Sequence, residues 1–179
     1  MTGERRPAPV VVMGVSAAGK STIGRGLAFR LGAAFVDADD LHPDSNRAKM
    51  RAGVPLDDED RRPWLDAVGA VLAAADRGAS VVVACSALRR RYRERLLAHA
   101  PEVRFVHLDA APGVLAERAS SRTGHFMPPG LLASQLATLE TLAPDEPGFR
   151  VDVDAPVHVI VDAASAGLAR LDATRPVRA

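Results

Sequence analysis

One octapeptide, Gly-Val-Ser-Ala-Ala-Gly-Lys-Ser at positions 14–21, constrains the fold of this chain more than any other segment. It fits the pattern G-x-x-x-x-G-K-[ST], in which glycines let the backbone curl so that several N–H groups point at one anionic centre. The apolar run before it predicts a buried strand, and the pattern after it predicts a helix. In such a loop Lys20 reaches the β- and γ-phosphates, and the Ser21 hydroxyl ligates Mg²⁺. The segment therefore predicts a phosphate-binding loop.

Lysine usage supports a chemical role for this loop. The chain has 23 basic residues, and only Lys20 and Lys49 are lysines. Arginine serves wherever a general cation suffices, so a compact ammonium on a flexible stem is chemically required at Lys20.

The bulk properties indicate one soluble, cytoplasmic domain. The chain has 179 residues, a formal net charge of +1 and a single cysteine, Cys85. The charge gives no strong field for nucleic acid or an anionic membrane, and a lone cysteine excludes an internal disulfide. No signal peptide or membrane span is predicted. We expect a disordered leader at 1–9, a single domain at 10–173 and a short tail at 174–179.

Short apolar runs alternate with longer helical patterns, which predicts a parallel α/β sheet. Acids at 57–60 are expected to cap a helix, with Pro63 in its first turn, where a missing N–H costs little. The stretch from residue 157 fits a strand or a helix; the helix is favoured because its apolar residues share one face. The predicted strands are 10–13, 34–37, 80–84, 103–108 and 149–153, and the other predicted helices are 20–31, 44–51, 63–75, 88–98, 112–121 and 130–142.

The second predicted strand runs into a cluster of acids at Asp37, Asp39 and Asp40. Sheets of this type bind ligands beyond the carboxyl ends of their strands. One carboxylate near Mg²⁺ and another that orients an attacking oxygen are what phosphoryl transfer requires of a protein. The alternative is an acidic turn, since Asp is common in loops. Beside a phosphate loop the functional interpretation is favoured.

Two arginine-rich segments offer cations for an anionic ligand. Most arginines at 89–93 are expected on a solvated helix face, and one or two could point into the cleft. Arg118 and Arg122 precede a segment bounded by Gly and Pro, which suggests a mobile lid at about 120–132 that carries cations toward the transferring phosphate. An ordinary helix–helix loop is the alternative. His125 is placed either against substrate or as a cap of that turn.

Together these motifs resemble the P-loop gluconokinases. The most specific matches are Leu-His-Pro at 41–43, Asp-Arg-x-Pro-Trp-Leu at 60–65 and Cys-Ser-Ala-Leu at 85–88. The resemblance runs in order from about residue 10 to residue 172 and includes Asn46 and Lys49. It implies a three-layer P-loop kinase fold with a five-stranded parallel sheet flanked by helices and a mobile lid. It also implies Mg²⁺-dependent transfer of the ATP γ-phosphoryl group to the 6-hydroxyl of D-gluconate, by a homodimer.

The resemblance assigns roles to individual residues. Lys20, Asp39 and Arg122 would be catalytic, with Asp39 orienting or deprotonating the substrate hydroxyl. Ser21 and Asp37 would serve Mg²⁺. The implied ATP-binding residues are Gly14, Val15, Ser16, Ala17, Ala18, Gly19, Lys20, Ser21, Thr22, Arg118 and Arg122, and the implied gluconate-binding residues are Asp39, His42, Lys49, Ser86, Arg93, His125 and Gln135.

Two positions depart from the family pattern. The loop position that is usually Gly is Ala17, which fits if its φ is negative, and on that basis we expect slightly stiffer phosphate binding rather than loss. The lysine that usually follows Cys-Ser-Ala-Leu is Arg89, which would change the geometry of any contact with phosphate or carboxylate.

Rival classes are weaker on the residues themselves. Shikimate kinases use a glycine triplet near the substrate, and this chain has no Gly-Gly pair. Adenylate-type kinases usually carry Pro in the phosphate loop, which is absent here. GTPase switches use Asn-Lys-x-Asp, but the only asparagine, Asn46, is followed by Arg47. Another small-molecule P-loop kinase and a non-catalytic nucleotide-binding module remain alternatives, because motifs show capacity rather than turnover.

Overall fold

The computed structural model describes residues 7–75, 80–121 and 130–174. Its centre is a five-stranded sheet whose strands all pair in parallel, in the order β2-β3-β1-β4-β5. The predicted five-stranded parallel sheet is therefore confirmed. Because β1 is the middle strand, the loop at 14–21 leaves the sheet at its centre. The strands are β1 (Val10–Met13), β2 (Ala34–Asp37), β3 (Val81–Ala84), β4 (Arg104–Asp109) and β5 (Gly148–Asp152).

Helices follow each strand, as parallel pairing requires, because a parallel neighbour can be reached only by a crossover. A short 3-10 helix, Ala38–Leu41, continues directly from β2 and carries two of the predicted acids, Asp39 and Asp40. The α-helices in the described ranges are α1 (Lys20–Leu31), α2 (Asp44–Arg51), α3 (Asp58–Ala75), α4 (Arg90–His99), α5 (Pro112–Ser120), α6 (Leu131–Thr138) and α7 (Val157–Ala173).

The sheet separates two apolar cores, because neighbouring residues of a strand point to opposite faces. On β1, Val10 and Val12 pack on one face with residues of α1 and α7, whereas Val11 and Met13 pack on the other with residues of α3 and α4. All four side chains are at most 1% exposed. The predicted three-layer arrangement is therefore confirmed, and burial on both faces explains why β1 is an unbroken apolar run.

The third helix begins five residues before the predicted start. The Asp57 carboxylate accepts a hydrogen bond from the Asp60 N–H at 2.8 Å, and the Asp60 carboxylate accepts one from the Asp57 N–H at 3.1 Å. This reciprocal capping begins α3 at Asp58. Pro63 consequently lies inside α3, so its predicted place in the first turn is wrong, although the capping role of the acids is observed.

The C-terminal stretch is helical, as the single apolar face favoured, and α7 packs against α1. α6 ends at Thr138, earlier than the predicted residue 142.

None of the helices in the described ranges combines the length and apolar character that a bilayer span needs. Of the predicted leader at 1–9, lid at about 120–132 and tail at 174–179, residues 1–6, 122–129 and 175–179 lie outside the described residues. Arg122 and His125 lie outside them as well. Pro9, at the end of the predicted leader, is buried, and its carbonyl accepts a hydrogen bond from the Arg104 N–H at 2.9 Å, so this end of the leader packs on the sheet.

Candidate active site

The phosphate loop connects β1 to α1. It places the N-terminus of α1 beyond the carboxyl end of the central strand. Gly19 caps α1 with φ of +91°, a conformation that favours glycine. The Gly14 backbone also requires glycine, because a Cβ there would lie 2.9 Å from the Leu108 carbonyl oxygen. Lys20 follows at the first position of α1, and its Nζ donates to the Val15 carbonyl at 3.1 Å. The ammonium is thus folded back over the loop that is to hold an anion.

Ala17 adopts a φ of +65°, in the left-handed region. The expectation of a negative φ is therefore wrong. The curl of the loop imposes this conformation, which costs an L-residue roughly 1–2 kcal/mol relative to a negative φ. The side chain is 6% exposed, so the surrounding packing holds the strained residue in place.

Ser21 and Asp37 meet at the carboxyl end of β2. The Ser21 hydroxyl donates to Asp37 Oδ2 at 2.6 Å, and the Asp39 N–H donates to Asp37 Oδ1 at 3.2 Å. Both oxygens of Asp37 are therefore oriented, one toward α1 and the other toward the 3-10 helix. A hydroxyl and a carboxylate in contact are hard oxygen donors of the kind Mg²⁺ selects, so the residues present fit that ion.

Asp39 is the second acid of the site. Burial of its carboxyl raises its pKa above the usual range, and the neighbouring Asp37 raises it further. The Lys20 ammonium is near enough to oppose this rise. A carboxylate whose affinity for a proton is increased is better suited to accept one from a hydroxyl. Lys20, Ser21, Asp37 and Asp39 thus form one cluster.

His42 and Lys49 lie on the continuation of the same chain segment. The His42 ring stacks on Trp64, with ring centroids 4.4 Å apart and planes inclined by 10°. The Lys49 ammonium contacts both carboxylate oxygens of Asp60, at 2.6 and 2.7 Å, and its side chain remains 41% exposed. Both predicted gluconate ligands therefore lie beside α3, each with a neighbour that fixes its orientation.

Gln135 and Ser86 both contact the phosphate loop. Gln135 belongs to α6, and its side-chain oxygen accepts a hydrogen bond from the Ser16 N–H at 2.6 Å. The Ser86 carbonyl, just beyond β3, accepts one from the Gly14 N–H at 3.3 Å. Both residues are partly buried. The structure thus brings α6 and the end of β3 to the loop, as expected for residues that share a cleft with it.

The remaining ATP-binding predictions concern α1 and α5. Thr22 is exposed on the first turn of α1, directly after Ser21. Arg118 lies in the last turn of α5 and donates to the Val153 carbonyl, just beyond β5, at 2.6 Å. Its guanidinium is therefore drawn toward the end of β5.

Arg93 does not occupy the predicted position. Its side chain is 0% exposed. Its Nε and Nη2 donate to the two carboxylate oxygens of Glu146, at 2.6 Å and 2.9 Å. Nη1 donates to the carbonyls of Ala87 at 3.0 Å and Glu140 at 2.9 Å. Because all three guanidinium nitrogens are engaged inside the protein, this arrangement contradicts direct contact with gluconate. Arg93 instead fastens the segment after α6 to the start of α4.

Three residues of this region had no predicted site role. Glu146 and Glu140 bind the start of α4; Glu140 belongs to a run that matches the family pattern, Thr-Leu-Glu at 138–140, whereas no motif signalled Glu146. Glu140 caps α4 from a distance, since its carboxylate accepts from the Arg90 N–H at 2.7 Å. Asn46 is 1% exposed and contacts His42, which its place in the family pattern could have signalled.

The parallel sheet, the central phosphate loop and the acid pair at the next strand end define the chain as a P-loop kinase. A family model described as an AAA domain matches residues 10–142. A gluconokinase from Gluconobacter oxydans is 47% identical over 158 residues, covering 88% of this chain and 89% of its own. The thermoresistant gluconokinase of Escherichia coli is 40% identical over 153 residues, covering 84% and 87%. The protein belongs to the gluconokinase family within this AAA-domain class.

Solved structures agree with this assignment. A gluconokinase from Sinorhizobium meliloti superposes with a TM-score of 0.85 at 50% identity, covering 93% of this chain and 95% of its own. A shikimate kinase from Aquifex aeolicus superposes with a TM-score of 0.59 at 15% identity, covering 93% and 99%, and so shares only the fold.

Proposed function

We propose that the protein is a gluconokinase, which transfers the γ-phosphoryl group of ATP to the 6-hydroxyl of D-gluconate and yields 6-phospho-D-gluconate and ADP. The observation that carries the proposal is the cluster of Lys20, Ser21, Asp37 and Asp39 at the carboxyl ends of the strands. Membership of the gluconokinase family supplies the substrate class.

Nucleotide binding rests on the loop at 14–21. Its backbone N–H groups and the N-terminus of α1 would hold the phosphates, and Lys20 would exchange its contact with the Val15 carbonyl for phosphate oxygens. Arg118 and Arg122 are proposed as cations of the lid, with Arg122 acting on the transferring group. Such a cation stabilises the charge of the transition state.

Ser21 and Asp37 would hold Mg²⁺, because their oxygens already lie in contact. When bound, the ion neutralises charge on the phosphates as the phosphoryl group moves. The double hydrogen bonding of Asp37 orients its carboxylate before any ligand arrives, which reduces the reorganisation that binding requires.

Asp39 would orient the 6-hydroxyl and accept its proton as the oxygen attacks the γ-phosphorus. The 3-10 helix places it two residues from Asp37, and the hydrogen bond from its own N–H to Asp37 fixes that spacing. Burial raises its pKa and so strengthens it as a base.

Gluconate recognition would use residues around the same cleft. A polyhydroxylated carboxylate needs a cation at one end and hydrogen-bonding groups along its length. Lys49 offers the cation, since its side chain is partly exposed beside Asp60. The hydrogen-bonding groups are proposed to be Asp39, His42, Ser86, His125 and Gln135. Homodimer formation and a cytoplasmic location also remain predictions.

A substrate panel tests the proposal most directly. ADP release would be followed with gluconate, shikimate, nucleoside monophosphates and other sugar acids, with and without Mg²⁺. Turnover on gluconate with Mg²⁺ is expected. Turnover on shikimate but not gluconate would overturn the substrate assignment, and tight ATP binding without turnover on any member would favour a regulatory module.

A further inference from the structure

A buried cluster of three side chains, His42, Asn46 and Trp64, lies directly behind the 3-10 helix that carries Asp39. The three are 8%, 1% and 2% exposed. Trp64 is anchored from its other edge, because its Nε1–H donates to the Ala38 carbonyl at 2.7 Å. Since the His42 ring lies flat on Trp64, the plane of the imidazole is fixed relative to the acid pair.

The Asn46 amide determines which nitrogen of that imidazole carries a proton. Its Nδ2 lies 2.8 Å from the Asp60 carbonyl oxygen and 3.3 Å from Nδ1 of His42. A carbonyl oxygen can only accept, so the amide must present its NH₂ group, rather than its oxygen, to Asp60. The second N–H of that group then points at Nδ1, which has to be the unprotonated, accepting nitrogen.

The charges around the ring favour the same state. Burial, together with the smaller effect of the guanidinium groups of Arg61 and Arg47, lowers the pKa of His42 to about 4. Arg47 approaches from α2, where its Nε donates to the His42 carbonyl at 2.9 Å. The one carboxylate of α3 at this contact, Asp60, is taken by Lys49. A neutral ring with Nδ1 unprotonated carries its single proton on Nε2.

We propose that Asn46 is a positioning residue that holds His42 as the neutral Nε2–H tautomer, so that His42 offers the substrate one hydrogen-bond donor without a positive charge. In its substrate part, this inference rests on the proposed gluconokinase function. Nε2 contacts no hydrogen-bond acceptor among the described residues, and His42 keeps 8% of its surface exposed. A neutral donor suits a hydroxyl oxygen of the polyol chain, and leaves charge pairing with the carboxylate to Lys49.

The first test is independent of activity. Long-range ¹H–¹⁵N spectra of the ligand-free protein report which imidazole nitrogen is protonated, and the His42→Gln spectrum identifies the signals of His42 among the five histidines. The expected result is a proton on Nε2 alone from about pH 6 to about pH 9. A proton on Nδ1, or an imidazolium at neutral pH, would overturn the proposal even if the wild-type enzyme phosphorylates gluconate.

The second test replaces the amide by a carboxylate, Asn46→Asp. The carboxylate attracts a proton to Nδ1, which raises the His42 pKa and, above that pKa, leaves Nε2 as an acceptor. Above the pKa of His42 in this variant, and up to about pH 9, we expect its gluconate KM to be about tenfold higher than that of wild type, with the KM for ATP unchanged. Ser45→Asp adds the same charge at the exposed neighbouring position of α2 and should match wild type.

Two His42 variants keep the proposal testable if Asn46→Asp folds poorly. His42→Phe preserves an aromatic ring on Trp64 without a donor, whereas His42→Gln supplies an uncharged N–H without the ring. We expect the gluconate KM to rise more in the first variant than in the second. The reverse order would show that His42 acts through packing and would overturn the donor role. Absence of gluconate turnover in wild type would reject the function while leaving the tautomer result intact.

Discussion

Arg93 and Glu146 form an ion pair inside the protein, with side chains 0% and 4% exposed, although 53 residues separate them in the chain. Glu146 also accepts a hydrogen bond from the Ala143 N–H at 2.9 Å. The pair therefore joins the start of α4 to the segment that returns from α6 toward β5. Gln135, which contacts the phosphate loop, lies on that same α6.

Breaking this pair from one side should destabilise the fold strongly. Arg93→Met leaves the Glu146 carboxylate buried without its cation, and we expect a loss of about 3–5 kcal/mol in the free energy of unfolding. The double variant Arg93→Met/Glu146→Leu removes both charges and should lose clearly less than the sum of the two single variants. Urea unfolding of the four proteins measures this coupling, and strict additivity would contradict it.

The same Arg93 variant separates a structural role from a ligand role. Assayed at a temperature where it is folded, Arg93→Met should keep its gluconate KM within about threefold of wild type, because the guanidinium is buried. A tenfold or larger rise in the gluconate KM, together with unchanged stability, would instead restore Arg93 to the substrate site.

Removing the charge of Asp39 should suppress chemistry more than binding. We expect Asp39→Asn to lower kcat by about 10²–10⁴-fold while the KM for ATP changes little, because the amide cannot accept the proton of the hydroxyl. Steady-state kinetics checks this, and near-normal kcat in the variant would remove Asp39 from its role.

Relief of the strain at position 17 should stabilise the protein. Ala17→Gly removes the cost of a positive φ, partly offset by the greater freedom of glycine in the unfolded chain, so we expect a gain of up to about 1 kcal/mol. Ala18→Gly is the matched control, because Ala18 is buried and has no positive φ, and it should lose about 1 kcal/mol. Thermal unfolding compares the two, and stabilisation by both would refute the explanation by φ.

The ion pair between Asp66 of α3 and Arg95 of α4 should contribute to the loss of stability in acid. Arg95 and, less strongly, His99 lower the pKa of Asp66 to about 2. Because the folded pKa lies below the unfolded one, this stabilisation is present above about pH 4 and is lost as pH falls toward 2. Asp66→Asn and Arg95→Met should each flatten the fall in melting temperature over that window. A curve parallel to wild type would exclude the pair as a cause.

Features that depend on neighbouring residues in the chain could be predicted from the sequence. Features that depend on contacts between distant segments were predicted less well. The phosphate loop and the acid pair could be found because they are contiguous motifs, and the valine-rich strands are typical of a sheet buried on both faces. The burial of Arg93 could not be found, because its partner Glu146 comes from a segment with no motif. The start of α3 was misplaced because Pro63 resembles a first-turn proline, whereas the Asp57–Asp60 capping pair defines the true start. The φ of Ala17 depends on the shape of the whole loop.

The order of the strands also bears on synthesis at the ribosome. Among the strands that the structure describes, β1 pairs with β3 and β4, and β2 pairs with β3 alone. A nascent chain that has emerged as far as α3 therefore contains the phosphate loop, Asp37 and Asp39. It does not yet contain a strand with which β1 or β2 can pair. Nucleotide cannot assist folding before residues 81–84 leave the exit tunnel, and until then the apolar segment Val10–Met13 is exposed to aggregation.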